Sequence, residues 1–460
     1  MNINFITDNL PTYMNDVPEV IRAFSPHITL SDDGELVTIF VSEKEGSVSV
    51  AIQSDKHGEF TSLETIDFLF GSLEYKRLAK RCAKKLLYSF CNKITGVNLP
   101  YGSLTGVRPT KLYYDLIGST SNIKSVFIDE FCVEPKRAEL IENVVKTQGG
   151  IYSTAQDEVD IFVNIPICPT RCKYCSFIST EYGRVKKLVP AYVECVKNEL
   201  ELINERVVNE KLKVRSIYFG GGTPTSLSAE QLKQLCSCLK YNVEFTVEAG
   251  RPDSITAEKL QALKDSGVTR ISVNPQTFKD STLEILGRAH NTEQLYSANE
   301  LARKFGFDIN MDLIAGLPNE SFEDFSASLN RALELHPENI TIHTLSIKRG
   351  STLKLEGSEK TMDGSIKKMT DYSIDLLSKA GYFPYYMYRQ KNMADGLENV
   401  GWCKPGKQCI YNIDYMEETT TVLSAGAGAM SKMVFHEAGR IERNCNPKGF
   451  EEYLRRRSAL

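Results

Sequence analysis

Between Asp157 and Leu345 the chain alternates short apolar runs with amphipathic stretches, and this rhythm restricts the fold more than any other feature. Strands are expected at 159–165, Ser216–Gly220, Val243–Ala249, Arg270–Asn274, Phe307–Ile314 and Asn339–Leu345. Helices are expected at 187–206, 228–239 after a Ser N-cap, 256–266, 280–287, 292–305 and 321–335. Strands separated by helices pair in parallel, because a parallel neighbour needs a crossover that a tight turn cannot provide. Six βα units in about 200 residues predict a parallel, barrel-like α/β sheet. Ligands of such sheets bind at the C-terminal ends of the strands.

The flanks read differently. Residues 1–150 form an expected α+β domain, with a hairpin over Glu35–Ile52 turning near Glu45-Gly46. A helix over Glu74–Lys93 places Leu78, Cys82, Leu86 and Phe90 on one stripe and a basic face opposite. That face reads either as solvated or as a surface for anionic ligands or docking. The segment LPYGSLTGVRPTKL (99–112) is a structured loop offering Arg108 and Lys111 to carboxylates. Residues 151–361 form the barrel domain and 362–460 a C-terminal region expected to cover substrate. A helix over 363–379 opens that region, followed by an aromatic group, Tyr382–Tyr388.

A net charge of −4 gives no basic field for nucleic acid. No run reaches the roughly 18 apolar residues that span a bilayer, and the N-terminus lacks a signal pattern. A cytoplasmic protein is expected. Twelve scattered cysteines suit a reducing, oxygen-poor interior.

Three of those cysteines carry the chemistry. Cys168-x3-Cys172-x2-Cys175 follows the first expected strand. Three close thiolates can hold three irons of a [4Fe–4S] cluster and leave the fourth open. Structural zinc with a fourth ligand from elsewhere, or buried thiols without a metal, are the alternatives. The run Phe219-Gly220-Gly221-Gly222-Thr223-Pro224-Thr225 ends the second strand, where glycines let backbone approach a ligand closely. Glu248, Gln276, Arg288 and Asp312 recur at later strand ends and together complement a ligand bearing an ammonium, a carboxylate and a ribose.

CxxxCxxC, GGTPT and these strand ends resemble the radical S-adenosylmethionine (SAM) superfamily, and more closely its oxygen-independent coproporphyrinogen III oxidase-like branch. GYFPYY, KPGKQCIYN and SAGAGAMSK are similar to C-terminal motifs of that branch, and the long N-terminal unit resembles its HemZ-type subgroup. The resemblance implies a partial (β/α)6 barrel with an N-terminal α+β domain and a C-terminal extension. It implies a [4Fe–4S] cluster on Cys168, Cys172 and Cys175, with Phe162, Tyr174, Gly221, Gly222, Thr223, Glu248, Gln276, Arg288, Asp312 and the Leu345 backbone around SAM. A second SAM is left open.

The implied activity is anaerobic haem biosynthesis: reductive cleavage of SAM gives a 5′-deoxyadenosyl radical, and coproporphyrinogen III propionates are oxidatively decarboxylated to vinyl groups of protoporphyrinogen IX. The implied partners are a tetrapyrrole substrate and a one-electron donor such as flavodoxin or ferredoxin. Arg108, Lys111, Arg389 and Lys404 are candidate propionate anchors, and Tyr382–Tyr388 either floors the macrocycle or packs as a buried strand. Three departures stand out: Phe177 replaces a fourth cysteine of the porphyrin oxidase, Phe162 a tyrosine, and Asn164 a histidine. CxYCxF instead resembles the haem-chaperone relatives, so a haem-binding chaperone or insertase, or a radical SAM enzyme acting on haem or another tetrapyrrole, are alternative expectations.

Overall fold

A computed structural model describes residues 1–8, 10–346, 351–352, 364–390 and 396–457. Two compact units divide the chain: Met1–Asn143, Thr361–Gly364 and Arg389–Glu398 form one, and Val144–Lys360, Ser365–Tyr388 and Asn399–Leu460 the other. The expected boundary at 361/362 lies outside the described residues.

The first unit holds a five-stranded sheet of order β2-β1-β3-β4-β5, built from β1 (Asn2–Asp8), β2 (Thr29–Leu30), β3 (Glu35–Lys44), β4 (Ser47–Ser54) and β5 (Gly58–Thr65). The expected hairpin is β3–β4, turning through Gly46 at φ 78°. One helix, Leu73–Thr95, lies against the sheet, opened by the Ser72 side chain accepting from Tyr75 N–H and closed by left-handed Gly96. Its buried face is Tyr75, Ala79, Ala83, Leu87 and Phe90, and Leu78, Cys82 and Leu86 pack at the rim. The stripe is thus offset from the expected one, since small alanines let the helix sit close and push larger side chains to the edges. Part of the basic face is engaged internally: Lys84 pairs with Asp16 at 2.7 Å, and Arg81 pairs with Glu130 over the Phe131 ring.

The second unit is built on an eleven-stranded sheet. Its parallel strands are β6 (Glu158–Ile165), β9 (Lys213–Gly221), β10 (Glu244–Val247), β11 (Arg270–Ser272), β12 (Asp308–Ala315) and β13 (Asn339–Thr344), adjacent in that order. Short β7 (Ile167–Cys168) and β8 (Thr180–Glu181) bracket the cysteine loop as a separate parallel pair. Three of the crossover helices open with capping boxes at Ser228, Asn291 and Ser321, each satisfying two backbone donors.

The C-terminal region extends both edges. β14 (Phe383–Arg389) and β15 (Glu398–Cys403) lie beyond β13, with β15 antiparallel to it. β16 (Thr421–Ala425) adds a seventh parallel strand beside β6, followed by antiparallel β17 (Met430–Phe435) and β18 (Arg440–Cys445). β14 and β18 are the two outer strands, so the sheet is an open barrel.

Alternation along the strands sets one apolar and one polar face. Ile161, Val163, Ile217, Phe219, Val247, Ile309 and Met311 are fully buried on one side. The other side carries Asp160, Ser216, Thr246, Arg270, Asn310 and Thr341. Their polar atoms pair with one another: Ser216 donates to Asp160 at 2.6 Å, and Arg270 joins Glu244 at 2.7 Å and Asn339 at 3.0 Å. The helix Ile410–Glu417 carries Tyr411 onto the Tyr218 ring, centroids 4.5 Å apart, while its Asp414 takes Arg215 at 2.8 Å.

Glu199 fixes the C-terminal strands to the barrel. Nearly buried on the helix Val189–Asn209, it accepts from Gly426 N–H at 2.7 Å, Asn446 Nδ2 at 2.9 Å and the Tyr453 hydroxyl at 2.7 Å. Glu199→Ala strands two buried donors, Gly426 N–H and the Tyr453 hydroxyl, each costing about 1–3 kcal/mol when unpaired, and takes one bond from Asn446. A loss of about 3 kcal/mol or more is expected, read as a lowered midpoint in thermal or urea unfolding; an unchanged midpoint would contradict this role.

Candidate functional site

The site sits at the C-terminal ends of β6, β9, β10, β11, β12 and β13, where the βα rhythm places it. Its base is a close approach of β9 to β6. A Cβ on Gly221 (φ 99°) would lie 1.8 Å from Asn164 Oδ1, and one on Gly222 would lie 2.7 Å from both Ile167 N and O. With only hydrogens there, Gly222 N–H donates to Ile165 O at 2.9 Å and Thr223 N–H to Ile167 O at 2.8 Å. The cysteine strand β7 therefore hangs directly from the glycine run.

Cys168 ends β7, and the Thr223 hydroxyl lies 3.7 Å from its Sγ. Cys172 and Cys175 follow on the loop, joined by Cys175 N–H to Cys172 O at 3.1 Å. Lys173 N–H donates to Leu286 O at 3.0 Å, tying the loop to the segment after β11. Two guanidinium groups, Arg251 and Arg288, each place Nη1 3.9 Å from Cys172 Sγ. All three thiols are free of disulfides. Burial pushes the Cys175 thiol up to about 11 and raises that of Cys168, the latter against hydrogen bonds from Thr223 and Ser179. Iron binding must therefore displace protons, which a metal accomplishes.

Among the described residues no three His, Cys, Asp or Glu side chains already converge as a single-metal cage. A four-iron cluster asks for something else: thiolates that splay around it, each on a different iron, with N–H and O–H donors on the sulfurs. Three cysteines on one loop, attended by Thr223, Arg251 and Arg288, fit that requirement.

The expected SAM-lining residues fall around the same opening. Glu248, half-buried after β10, accepts from the Tyr218 hydroxyl at 2.8 Å. Burial pushes its carboxyl up to about 7; Tyr218 and the Gly221 backbone work against this, and the Asp312 charge adds to it. Asp312 behaves oppositely. Burial disfavours its charge, but hydrogen bonding and attraction from His343, with Asn310 and Thr341, hold its carboxyl below the usual range. Asn274 Nδ2 also donates to it at 2.7 Å.

Gln276 adopts φ 65°, a left-handed conformation uncommon outside glycine, and is bridged to β12 through its N–H to Asp312 O at 2.8 Å and Ile314 N–H to its own carbonyl at 3.0 Å. Arg288 donates to Gly250 O at 2.7 Å, Asn274 O at 2.9 Å and the Tyr174 hydroxyl at 3.1 Å. Tyr174 and Leu345 pack on Leu286, Ile314 and Leu317. Phe162 stands on the polar face, stacked at 14° on Tyr411.

Other expectations are corrected. Arg389 is no propionate anchor: its guanidinium donates to Leu104 O at 2.7 Å and Gly396 O at 2.9 Å, over the Tyr101 ring. Lys404 lies at the opposite end of the sheet, where its ammonium donates to His336 O at 2.7 Å just before β13 begins. Tyr382 is also at that end, donating to Pro337 O at 2.6 Å, and Tyr386 covers Gly401, so the aromatic group packs as a strand. Arg108 and Lys111 fall in the first unit, as their place before residue 150 implies.

Sequence reasoning missed Tyr218, Asn274, His343, Tyr411 and Arg251. Period-two alternation through Gly220 and Glu248 points to Tyr218; Tyr411 had no local signal, since its role comes from long-range stacking. In the sequence Asn164 stands out only as a substitution, whereas its Nδ2 donates to Ala427 O at 2.5 Å and joins the glycine run to the SAGAGA turn.

The chain matches the Radical SAM superfamily over residues 164–332. It is 35% identical over 453 residues to the oxygen-independent coproporphyrinogen-III oxidase-like protein HemZ of Bacillus subtilis, covering 93% of this chain and 87% of that one. It is 31% identical over 311 residues to the heme chaperone HemW of Haemophilus influenzae, covering 64% and 77%. Coproporphyrinogen III oxidase (HemN) from Escherichia coli, a radical SAM enzyme, has the same fold at a TM-score of 0.53 and 22% identity, over 70% of this chain and 73% of that one. Fold and site together define a radical SAM protein, a class that uses a [4Fe–4S] cluster and SAM. Within it, the chain belongs to the oxygen-independent coproporphyrinogen-III-oxidase-like family, in its HemZ group. Among the described residues no helix is long and apolar enough to cross a membrane.

Gly222→Ala drives a methyl into the Ile167 backbone and breaks the suspension of β7. Iron bound after anaerobic reconstitution is expected to fall below roughly half, because displacement of one ligand loses the cluster. Gly183→Ala, with open space around its Cβ, serves as the control and loads fully. Full loading of both would show that the glycine contact does not hold the cysteine strand.

Proposed function

We propose that this protein is a radical SAM enzyme of anaerobic haem biosynthesis that oxidatively decarboxylates coproporphyrinogen III propionates to vinyl groups, giving protoporphyrinogen IX. The observation that carries the reading is the relationship to HemZ along 93% of the chain, which must include residues of both units. In this reading Cys168, Cys172 and Cys175 are the iron ligands. Phe162, Tyr174, Gly221, Gly222, Thr223, Glu248, Gln276, Arg288, Asp312 and the Leu345 backbone line the SAM pocket. When bound, the cluster and SAM supply a carbon radical able to take hydrogen from an unactivated C–H bond.

The residues divide the remaining work. Thr223 and the two arginines direct donors at the thiolates. Asp312, kept charged by its donors, and Glu248, poised near neutrality, present carboxylates to a cationic ligand. Phe162 and Tyr411 supply an aromatic wall on the same face.

A second reading is supported by the HemW relationship and by Phe177, which stands 67% exposed next to the cysteine loop: a haem-binding chaperone or insertase. Anaerobic turnover with SAM, a reductant such as dithionite and coproporphyrinogen or haem, offered side by side, separates them by product mass. Loss of two carboxyl groups and appearance of a divinyl product supports the oxidase. 5′-Deoxyadenosine with unaltered coproporphyrinogen sinks it, and stoichiometric haem uptake with transfer to an apoprotein supports the chaperone. A product derived from haem identifies another tetrapyrrole substrate.

SAM is a net cation, so its binding favours ionised Glu248. Glu248 is mostly protonated at pH 6 and mostly charged at pH 8, so affinity is expected to rise roughly fivefold to tenfold across that range. Glu248→Gln should bind more weakly at pH 8 and lose the dependence. Calorimetry with SAM checks this; an equal slope in both proteins would remove Glu248 from the pocket.

A further inference from the structure

Arg251 sits between Gly250 and Pro252 in the turn after β10 and is only 3% exposed. Its Nε and Nη2 donate to the two oxygens of Asp253, each at 2.9 Å, a bidentate grip that fixes the guanidinium plane. That leaves Nη1 to face the cysteine loop. It donates to Thr170 O at 3.2 Å and Thr170 Oγ1 at 3.1 Å, and reaches Cys172 Sγ at 3.9 Å. Behind Asp253 lies His290 Nδ1 at 3.9 Å; burial, with the Arg288 charge, lowers that imidazole to about 3, so it remains neutral and does not compete with Arg251 for the carboxylate.

The three cysteines are therefore not equivalent. Cys172 faces two guanidinium groups, whereas Cys168 faces the hydroxyl of Thr223. Donors and positive charge at a thiolate draw off the electron density it gives to iron and favour the reduced state. Arg288 is already committed to the Gly250 and Asn274 carbonyls and to Tyr174. Arg251 has a different set of partners: one carboxylate that aims it, and the loop it holds.

The geometry points to Arg251 as a positioning residue that, aimed by Asp253, pins the Cys168–Cys172 segment and raises the reduction potential of the iron–sulfur centre through Cys172. This rests on the reading of Cys172 as an iron ligand. The aimed guanidinium also gives the loop a fixed distance from β10, so its removal acts on the centre's potential as well as on the loop.

Arg251→Gln and Arg251→Lys, reconstituted as full chains, are compared with the unaltered protein by iron content, circular dichroism and a redox titration followed by electron paramagnetic resonance. Arg251→Gln should keep its fold and its iron. At the potential where the unaltered protein is half reduced, its reduced-to-oxidised ratio should fall about tenfold, a 59 mV downward shift for one electron. Arg251→Lys keeps the charge but not the fork and should shift downward by less. A fully loaded Arg251→Gln with an unchanged midpoint overturns the proposal. Where that variant takes up no iron, Arg251→Lys decides: a downward midpoint supports the proposal, an unshifted one overturns it. Cys172→Ala tests the underlying reading separately, because full iron content there sinks the ligand assignment whatever Arg251 does.

Discussion

Everything at the site depends on how closely β9 approaches β6. Three successive glycines remove side chains where Asn164, Ile165, Ile167 and Glu248 press in. The gain is a set of short backbone hydrogen bonds that carry β7, and Cys168 at its tip, at a fixed height over the sheet. Asn164 then transmits that position outward. Its amide holds Ala427 O, and its carbonyl accepts from the Tyr192 hydroxyl beside Gly426. Glu199 secures the same turn from the neighbouring helix. A local absence of side chains thus places loops more than two hundred residues apart in sequence.

The polar face of the sheet imposes the second constraint. Buried polar groups are costly unless paired, and the two ends of the strands meet that demand differently. At the N-terminal end the charges close on each other: Arg270 with Glu244 and Asn339, Arg215 with Glu158 and Asp414. At the C-terminal end pairing is incomplete. Glu248 has a hydroxyl, a backbone donor and the attraction of His343, yet burial prevails and its carboxyl rises. Asp312 has enough donors to stay charged. One end of the sheet is closed by its own ion pairs, and the other presents two carboxylates that burial and their neighbours tune in opposite directions.

Much of this was legible locally. The βα rhythm, the capping Ser228 and the left-handed turn at Gly46 are short-range signals, and the elements they predict form within a few residues of their expected ends. The cysteine spacing and the glycine run are likewise contiguous. What was illegible depends on contacts between distant segments. Nothing near Thr421–Ala425 announces a parallel partner 262 residues earlier, with Thr421 opposite Val159. Arg389 reads as a free cation beside tyrosines, yet it spends its donors on the carbonyls of Leu104 and Gly396. Arg251 reads as a loop residue until Asp253 and Thr170 are seen around it.

Those misplaced cations bear on substrate choice. An arginine whose donors are consumed by backbone carbonyls cannot also grip a carboxylate without losing them, so Arg389 organises the LPYGSLTG segment instead of a ligand. Lys404 is separated from the opening by the length of β13. Under the proposed function, recognition of a many-carboxylate macrocycle calls for cations beyond these two. The relationship to HemW covers 64% of the chain, too little to include both units in full, whereas that to HemZ covers 93%. A core shared by an oxidase-like protein and a chaperone does not by itself separate the two readings. The choice between them must rest on the residues that surround that core.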